Sequence, residues 1–470
     1  MMSRYKYIKG STLLGFIILI GLPACQVINK YKTPEIDSDN LYGEMTSSDT
    51  TTIASIPWKE YFTDSFLILL IDEGIKKNYD LQIAYTRIQQ AEANLSMAKA
   101  AYFPDISLAG QVEQSRFSNG SDGEKMLGYH STDYSLGVSV SWELDIWGKL
   151  NRQSRSKYAQ FLNSYAYKNL IQTSLIANVA LSYYSLLALD EQLAIIKETV
   201  DLLEENVETM EALKKAGLQN GAAVEQSKFL LYSTQASIPD LESQIRQMEN
   251  SINTLLGRKP EKIERSSIYD QQYPTRLQYG VPVQMLAKRP DVQQAELSFR
   301  SAFELTNAAQ ASFYPSLTLS SSSIGYATNN TLSNFFNPEN IFANIIGGLT
   351  QPLFARKQLV GSLKIAKAQQ QEALFAFEQT VLIAGQEVTD VLYTFESLLK
   401  KQKARELQVK TGQRSVYFTQ ELLKAGDANY TEVLTAKQNL LSALISQVND
   451  KLKQLQCTVV LYRALGGGTE

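Results

Sequence analysis

Histidine is almost absent: His130 is the single one in 470 residues, and it sits in a polar stretch beside Gly128, Ser131, Thr132 and Asp133. That nearly removes Ser-His-Asp chemistry and histidine-rich zinc sites. Cysteine is as scarce, with only Cys25 and Cys457, so no disulfide framework is available. Charge of one sign is lacking too. Lys+Arg count 45 against Asp+Glu 48, a net −3, without the basic excess expected of a nucleic-acid binder. No nucleophile–base pair, metal cluster or cofactor motif emerges, and an enzyme is the least favoured reading.

What is present begins at the N-terminus. Arg4, Lys6 and Lys9 precede an apolar run from Leu13 to Ile20, too short to span a bilayer but of the length of a secretory h-region. The run ends in Leu22-Pro23-Ala24-Cys25, which resembles a bacterial lipobox, with Pro23 a less usual choice. The resemblance implies diacylation of the Cys25 thiol, cleavage before it and acylation of the new amino group. Several acyl chains hold a protein firmly at a membrane; Gln26 rather than Asp after the cysteine fits the outer one. With Cys25 given to lipid, Cys457 is expected as a small packed hydrophobe. Beyond the leader, no stretch is read as a transmembrane helix.

The chain also repeats itself. Asp80-Leu81-Gln82 matches Asp291-Val292-Gln293; Ala84, Ala91, Ala98 and Pro104 match Ala295, Ala302, Ala309 and Pro315, all 211 residues on. Lys215-Ala216-Gly217 matches Lys424-Ala425-Gly426, and Asn220, Val224 and Lys228 match Asn429, Val433 and Lys437, all 209 residues on. Each copy has one internal order. A helical segment (Leu81 to Tyr102; Val292 to Tyr314) ends at a proline, two alternating segments follow, then a very long helix, a glycine-centred turn and a last helix.

In the alternating segments Tyr134, Leu136, Val138, Val140 and Trp142 point one way, and Ser135, Gly137, Ser139 and Ser141 the other, the period of a strand with one apolar face. Ile106 to Val112, the segment from Leu317, and Ile341 to Leu349 read alike, with polar loops expected at Ser118 to Lys125 and Ala327 to Asn340. No Gly or Pro interrupts Gly148 to Gly217, a helix on the order of 100 Å at ~1.5 Å per residue. Leu186, Leu189, Leu193, Ile196, Val200, Leu203, Val207 and Met210 form a coiled-coil seam along it, and Ile238 to Leu255 another, with a kink expected at Pro239. Four apolar-faced strands cannot close a membrane barrel, which starts at about eight, so membrane strands require self-assembly. A soluble coiled-coil lipoprotein with a small packed sheet is the bland alternative.

Ser141-Trp142-Glu143-Leu144-Asp145-Ile146-Trp147-Gly148-Lys149-Leu150, Lys288-Arg289-Pro290-Asp291-Val292, Gly348-Leu349-Thr350-Gln351-Pro352-Leu353-Phe354 and Gln386-Glu387-Val388 resemble TolC-like outer-membrane efflux channels of the OprM/NodT lipoprotein branch, from about Cys25 to Gly466. The resemblance implies a mixed α and β membrane protein made of a tandem-duplicated unit of coiled-coil helices and two-stranded β-hairpins. It implies a homotrimer with a 12-stranded outer-membrane β-barrel continuous with a 12-helix periplasmic tunnel. It implies a passive conduit for drugs or other small molecules, fed by an inner-membrane RND-type pump through a periplasmic adaptor, with protein or peptide secretion as the alternative cargo. The expected layout is a signal peptide (1–24), a lipid-anchored segment (25–65), a first repeat (66–260), a linker (261–284) and a second repeat (285–470). No cofactor is expected beyond the lipid on Cys25.

Two sites follow. Trp142, Glu143, Asp145 and Trp147 form the strand-to-helix junction, the tryptophans at a membrane boundary where amphipathic aromatics are favoured, the acids near Lys149 and Arg152 in a charge cluster. The resemblance places a periplasmic gate just past the second glycine turn, at Glu432, with Asp427 standing in because Thr435 occupies the usual place of a second aspartate. The first copy offers only Glu225. Two readings stay open: an acidic ring at the pore, or charges that favour a helix start. Replacing Cys25 with Ser should abolish incorporation of radioactive palmitate, and persistent labelling would refute the lipobox.

Overall fold

In the computed structural model, residues 30–35, 41–42, 52–272 and 287–469 are described, without the side chains of 320–322. The leader and Cys25 lie outside the described residues. The elements run α1 (Ser65–Lys77), α2 (Tyr79–Ala100), β1 (Asp105–Arg116), α3 (Asp122–Leu127), β2 (His130–Leu144), α4 (Lys149–Lys215), α5 (Gly221–Leu255), α6 (Pro290–Ala311), β3 (Ser316–Asn329), β4 (Ile341–Asn344), β5 (Gly347–Thr350), α7 (Gln358–Ala425) and α8 (Tyr430–Ala464). The duplication is literal at this level. α2 and α6 have 22 residues each, α4 and α7 have 67 and 68, α5 and α8 have 35 each.

The chain forms two compact units, and each draws segments from both repeats. One comprises 1–35, 90–162 and 296–375 and holds the sheet; the other comprises 36–89, 163–295 and 376–470 and is helical.

The sheet is antiparallel throughout, in the order β1-β2-β3-β4, with β5 beside β4 on the same neighbour, β3. Its register gathers the apolar residues on one face: Ile106 opposite Val140, Leu108 opposite Val138, and Val138 in turn opposite Ile324. The other face pairs Ser107 with Ser139 and Ser139 with Ser323. On the apolar face Ile106, Leu108 and Val112 are bare, Leu108 at 71% exposure. A face of that kind marks contact with a membrane or partner. A bulge shifts the register between Val140 and Trp142. The fourth strand expected over Ile341 to Leu349 is interrupted between Asn344 and Gly347. The first expected loop contains α3, started by Ser121, whose hydroxyl accepts from the Glu124 N–H. The second expected loop is partly strand, because β3 runs on to Asn329.

In the helical unit the α4 seam is buried as expected at Leu186, Ile196, Val200, Leu203, Val207 and Met210, while Leu189 and Leu193 are half-buried. The residues from Ile238 to Leu255 are less enclosed, and α5 stays helical through Pro239. Cys457 is buried and free. One window of α4 is long and apolar enough to cross a membrane, contrary to expectation, but most of it is buried against other parts of the protein. Packing explains its apolarity, as for a core helix.

The last helix of each repeat is stopped identically. Gly257 and Gly466 take φ of 66° and 87°, the left-handed conformation that ends helices. A side chain there would strike the Lys77 carbonyl at 2.7 Å, or the Lys288 carbonyl carbon at 2.7 Å. Beside each glycine a polar side chain satisfies a terminal carbonyl: Asn78 Nδ2 donates to Leu255 O at 2.9 Å, and Arg289 Nη1 donates to Ala464 O at 2.9 Å. Arg289 adds Asp291 at 2.6 Å and Glu387 at 2.8 Å, which gives the Arg-Pro-Asp-Val motif a structural task.

Asp64 starts α1 and anchors the chain that follows the first repeat. It accepts from Phe66 N at 2.9 Å, Tyr183 at 2.8 Å, Gln271 at 2.7 Å, and Ser266. Burial pushes its carboxyl up, but the hydrogen bonds outweigh burial and hold it below the usual carboxylate range. The stability it confers is therefore complete above the unfolded value of about 3.9 and lost as pH falls through the lowered folded value. Asp64→Asn should flatten that acid limb in urea titrations run between about pH 6 and pH 3, while an unchanged pH slope would exclude the carboxylate as its source.

Candidate functional site

The junction residues come together at the point where β2 becomes α4. Asp145 Oδ1 and Oδ2 accept from the backbone N–H groups of Leu150 and Asn151 at 2.9 and 2.8 Å, satisfying donors that every helix start leaves open. Gly148 precedes the helix at φ 74°. Trp142 Nε1 donates to Tyr102 O at 2.9 Å, and Trp147 Nε1 donates to Pro315 O at 2.6 Å. The Trp147 ring stacks on Tyr314 with centroids 5.0 Å apart. The two indoles therefore pin the helix-to-strand turns of both repeats, and their polar edges are occupied by backbone.

The expected charge cluster divides. Lys149 Nζ meets Glu143 at 2.8 Å, but Arg152 turns away to the buried Glu304 on α6 at 2.7 Å, joined by Arg155 at 3.0 Å. The partners explain this correction: Glu143 is half-exposed and already taken by Lys149, whereas the enclosed Glu304 carboxylate needs the compensation that Arg152 and Arg155 supply. Glu304 is a functional-looking carboxylate that sequence reasoning missed, because nothing local distinguishes it from other helical glutamates.

At the far ends of the long helices, Gly217 and Gly426 form equivalent turns with φ 74° and 84°. A small core of Val200, Leu203, Val207 and Met210 on α4, Val224, Leu230 and Leu231 on α5, and Tyr430, Val433 and Leu434 on α8 holds the turns together. The Tyr430 hydroxyl bonds Asn206. Glu432 stands in the first turn of α8, its N–H donating to Asn429 Oδ1 at 3.2 Å. Glu432, Asp427 and Glu225 are all exposed, and among the described residues none of them forms an ion pair. The structure brings Glu432 and Asp427 to one turn; Glu225 lies apart, on a 410 Å³ hollow between α5 and α8 with Phe229 and Thr435.

Besides these acids, the repeats differ here in one ion pair. Lys228 on α5 pairs with Glu211 on α4 at 2.8 Å. For its counterpart Lys437, Gln420 occupies the place of that glutamate, and both line a 740 Å³ groove with Glu205, Met210, Leu213 and Lys424. Lys437 forms no ion pair among the described residues. Burial lowers its pKa, opposed by the field of Glu205.

Comparison with known proteins is decisive. The sequence matches the outer membrane efflux protein family over residues 70–258 and 281–467. The chain belongs to that family. It is 27% identical to the cation efflux system protein CusC of Escherichia coli O6:H1 over 97% of this chain and 98% of CusC. It is 27% identical to the pyoverdine export outer membrane protein OpmQ of Pseudomonas putida over 90% of each. A crystal structure of CusC superposes with a TM-score of 0.83 at 25% identity, covering 94% of this chain and 99% of that one. This efflux channel protein therefore has the helix-rich mixed α and β fold of outer-membrane efflux channels and resides in the outer membrane, as its motifs indicated. The family is one of channels, not of enzymes.

Asp145→Ala should destabilise the detergent-solubilised channel by about 1 kcal/mol, the usual worth of a helix-start cap. Asp145→Ser should retain most of it in guanidinium melts, and equal losses in both variants would refute the capping role.

Proposed function

We propose that three copies of this chain close a 12-stranded barrel in the outer membrane, and that the paired long helices continue it as a 12-helix periplasmic tunnel. The observation that carries this reading is the sheet: four strand positions, one apolar face left bare, and two open edges. Lipid does not tolerate open edges, whose N–H and C=O groups would stay unpaired; closure with further copies pairs them. The apolar face then meets hydrocarbon and the serine face lines the lumen. The sequence layout of two repeats, 66–260 and 285–470, joined by 261–284 supplies two similar sectors per copy, and lipid on Cys25 anchors the mature N-terminus.

In this reading the protein is a passive conduit, receiving cargo from an inner-membrane pump through a periplasmic adaptor. Relatives named for cations and for pyoverdine share its length and family. That spread supports selection upstream and a loosely selective duct here, carrying drugs or other small molecules. The helix tips form the gate. Three copies of Glu432 and Asp427 around the axis would repel one another and favour cations.

Purified protein in planar bilayers should conduct poorly at rest, and Glu432→Ala combined with Asp427→Ala should raise the conductance. A high resting conductance unchanged by the double variant would remove the gate from these residues, and no conductance from either form would sink the conduit.

A further inference from the structure

The internal duplication predicts a contact that a single copy cannot make. α2 and α6 begin 211 residues apart, at Tyr79 and Pro290, and so do β1 and β3, at Asp105 and Ser316. Before the long helices the offset is 209: the turn glycines Gly217 and Gly426 set it, and α4 and α7 carry it back unbroken to Gly148 and Lys357. Those two residues share the left-handed backbone, at φ 74° and 63°. One hydrogen bond checks both offsets together. Trp142 donates to Tyr102 O at 2.9 Å in the first repeat; their counterparts Gln351 and Phe313 make the same bond at 3.0 Å in the second.

A second contact does not recur within the chain. In the first junction Leu144 lies opposite Leu317, and Trp147 bonds Pro315 O at 2.6 Å and stacks on Tyr314. All three partners belong to the second repeat. The counterparts in the second junction are Leu353 and Arg356, and those of the turn they need are Phe103, Pro104 and Ile106 of a first repeat. Leu353 is 95% exposed, its neighbour Phe354 85%, and Phe103 73%. Arg356 is exposed, with a left-handed φ of 46°. β1 and β5 each pair on one side only.

We infer that the second junction of one copy seats on the first turn of a second copy, with Leu353 opposite Ile106 and Arg356 on Phe103 and Pro104. This inference rests on the self-assembly proposed above and specifies its seam. Arg356 takes the task of Trp147: its guanidinium lies over the Phe103 ring, a favourable cation–π placement, and an N–H donates to the Pro104 carbonyl. The transferred register also sets Gln351 opposite Leu108. The seam between copies lacks the ion pair found inside one, because Gly361 and Ala93 occupy the places of Arg152 and Glu304. Apolar contact and strand pairing must hold it.

The test uses full-length protein in detergent carrying Ile106→Cys with Leu353→Cys. Residues opposite each other in antiparallel strands have Cα atoms about 4.5–5.5 Å apart, within disulfide range. Mild oxidation should give a covalent trimer on a non-reducing gel that reductant dissolves. Neither single variant should, nor should Ile106→Cys with Gly347→Cys, displaced by roughly 20 Å along the strand. Amine-reactive cross-linking of the same sample reports assembly independently. A trimer by that measure without the disulfide overturns the seam and leaves self-assembly standing; a monomer overturns both. Arg356→Ala should lower the temperature at which the trimer dissociates, and Arg356→Trp should restore it. An unaltered midpoint for Arg356→Ala would remove the arginine from the seam.

Discussion

A backbone amide or carbonyl without a partner is tolerable in water and prohibitive in hydrocarbon. That asymmetry governs this chain. Its sheet gathers Ile106, Leu108, Val138 and Ile324 on one face, as suits lipid, and keeps two strand edges open, as lipid forbids. The rest of the architecture can be understood as the means of presenting those edges at the right angle and distance. The tryptophans fix the turns into the strands, Asp145 starts the long helix, and the glycine-ended helices return the chain to where its own repeat began.

The duplicated halves solve the same local problems with different side chains. A terminal carbonyl is satisfied by Asn78 in one copy and by Arg289 in the other; a turn carbonyl by Trp142 and by Gln351. In these cases the need is geometric, so any donor of adequate reach serves. Where the copies differ in charge, as at Lys228 with Glu211 against Lys437 with Gln420, no shared geometric need survives the substitution.

Much of this was legible from residues alone, for identifiable reasons. Period-two alternation in Tyr134 to Trp142 and three-four spacing from Leu186 to Met210 are direct prints of a pleat and a helical seam, and the repeat made each half a check on the other. The helix α3 escaped notice because its short polar sequence carries no period. The break between β4 and β5 escaped because Ile345 and Gly347 keep the alternation while the backbone leaves the ladder. Arg152 is expected in the cluster of Glu143 and Asp145 because they are near in sequence, whereas its partner Glu304 lies 152 residues away. Glu432 and Asp427 keep both readings because they are exposed and form no ion pair among the described residues.

The glycine stops at Gly257 and Gly466 bear on the order in which the polypeptide takes shape during synthesis. Gly257 presses against the carbonyl of Lys77, so the first repeat closes on itself with residues all made before the second repeat emerges. Pairing of β2 with β3 must wait for that second half. The β1–β2 hairpin and the Gly257 stop are thus complete within the first repeat, while β2–β3 pairing and the helical core that joins Tyr61 to Thr458 wait for the second. The free edge of β2 therefore stays open from the time the first hairpin forms until β3 is made, an interval in which it is prone to aggregate.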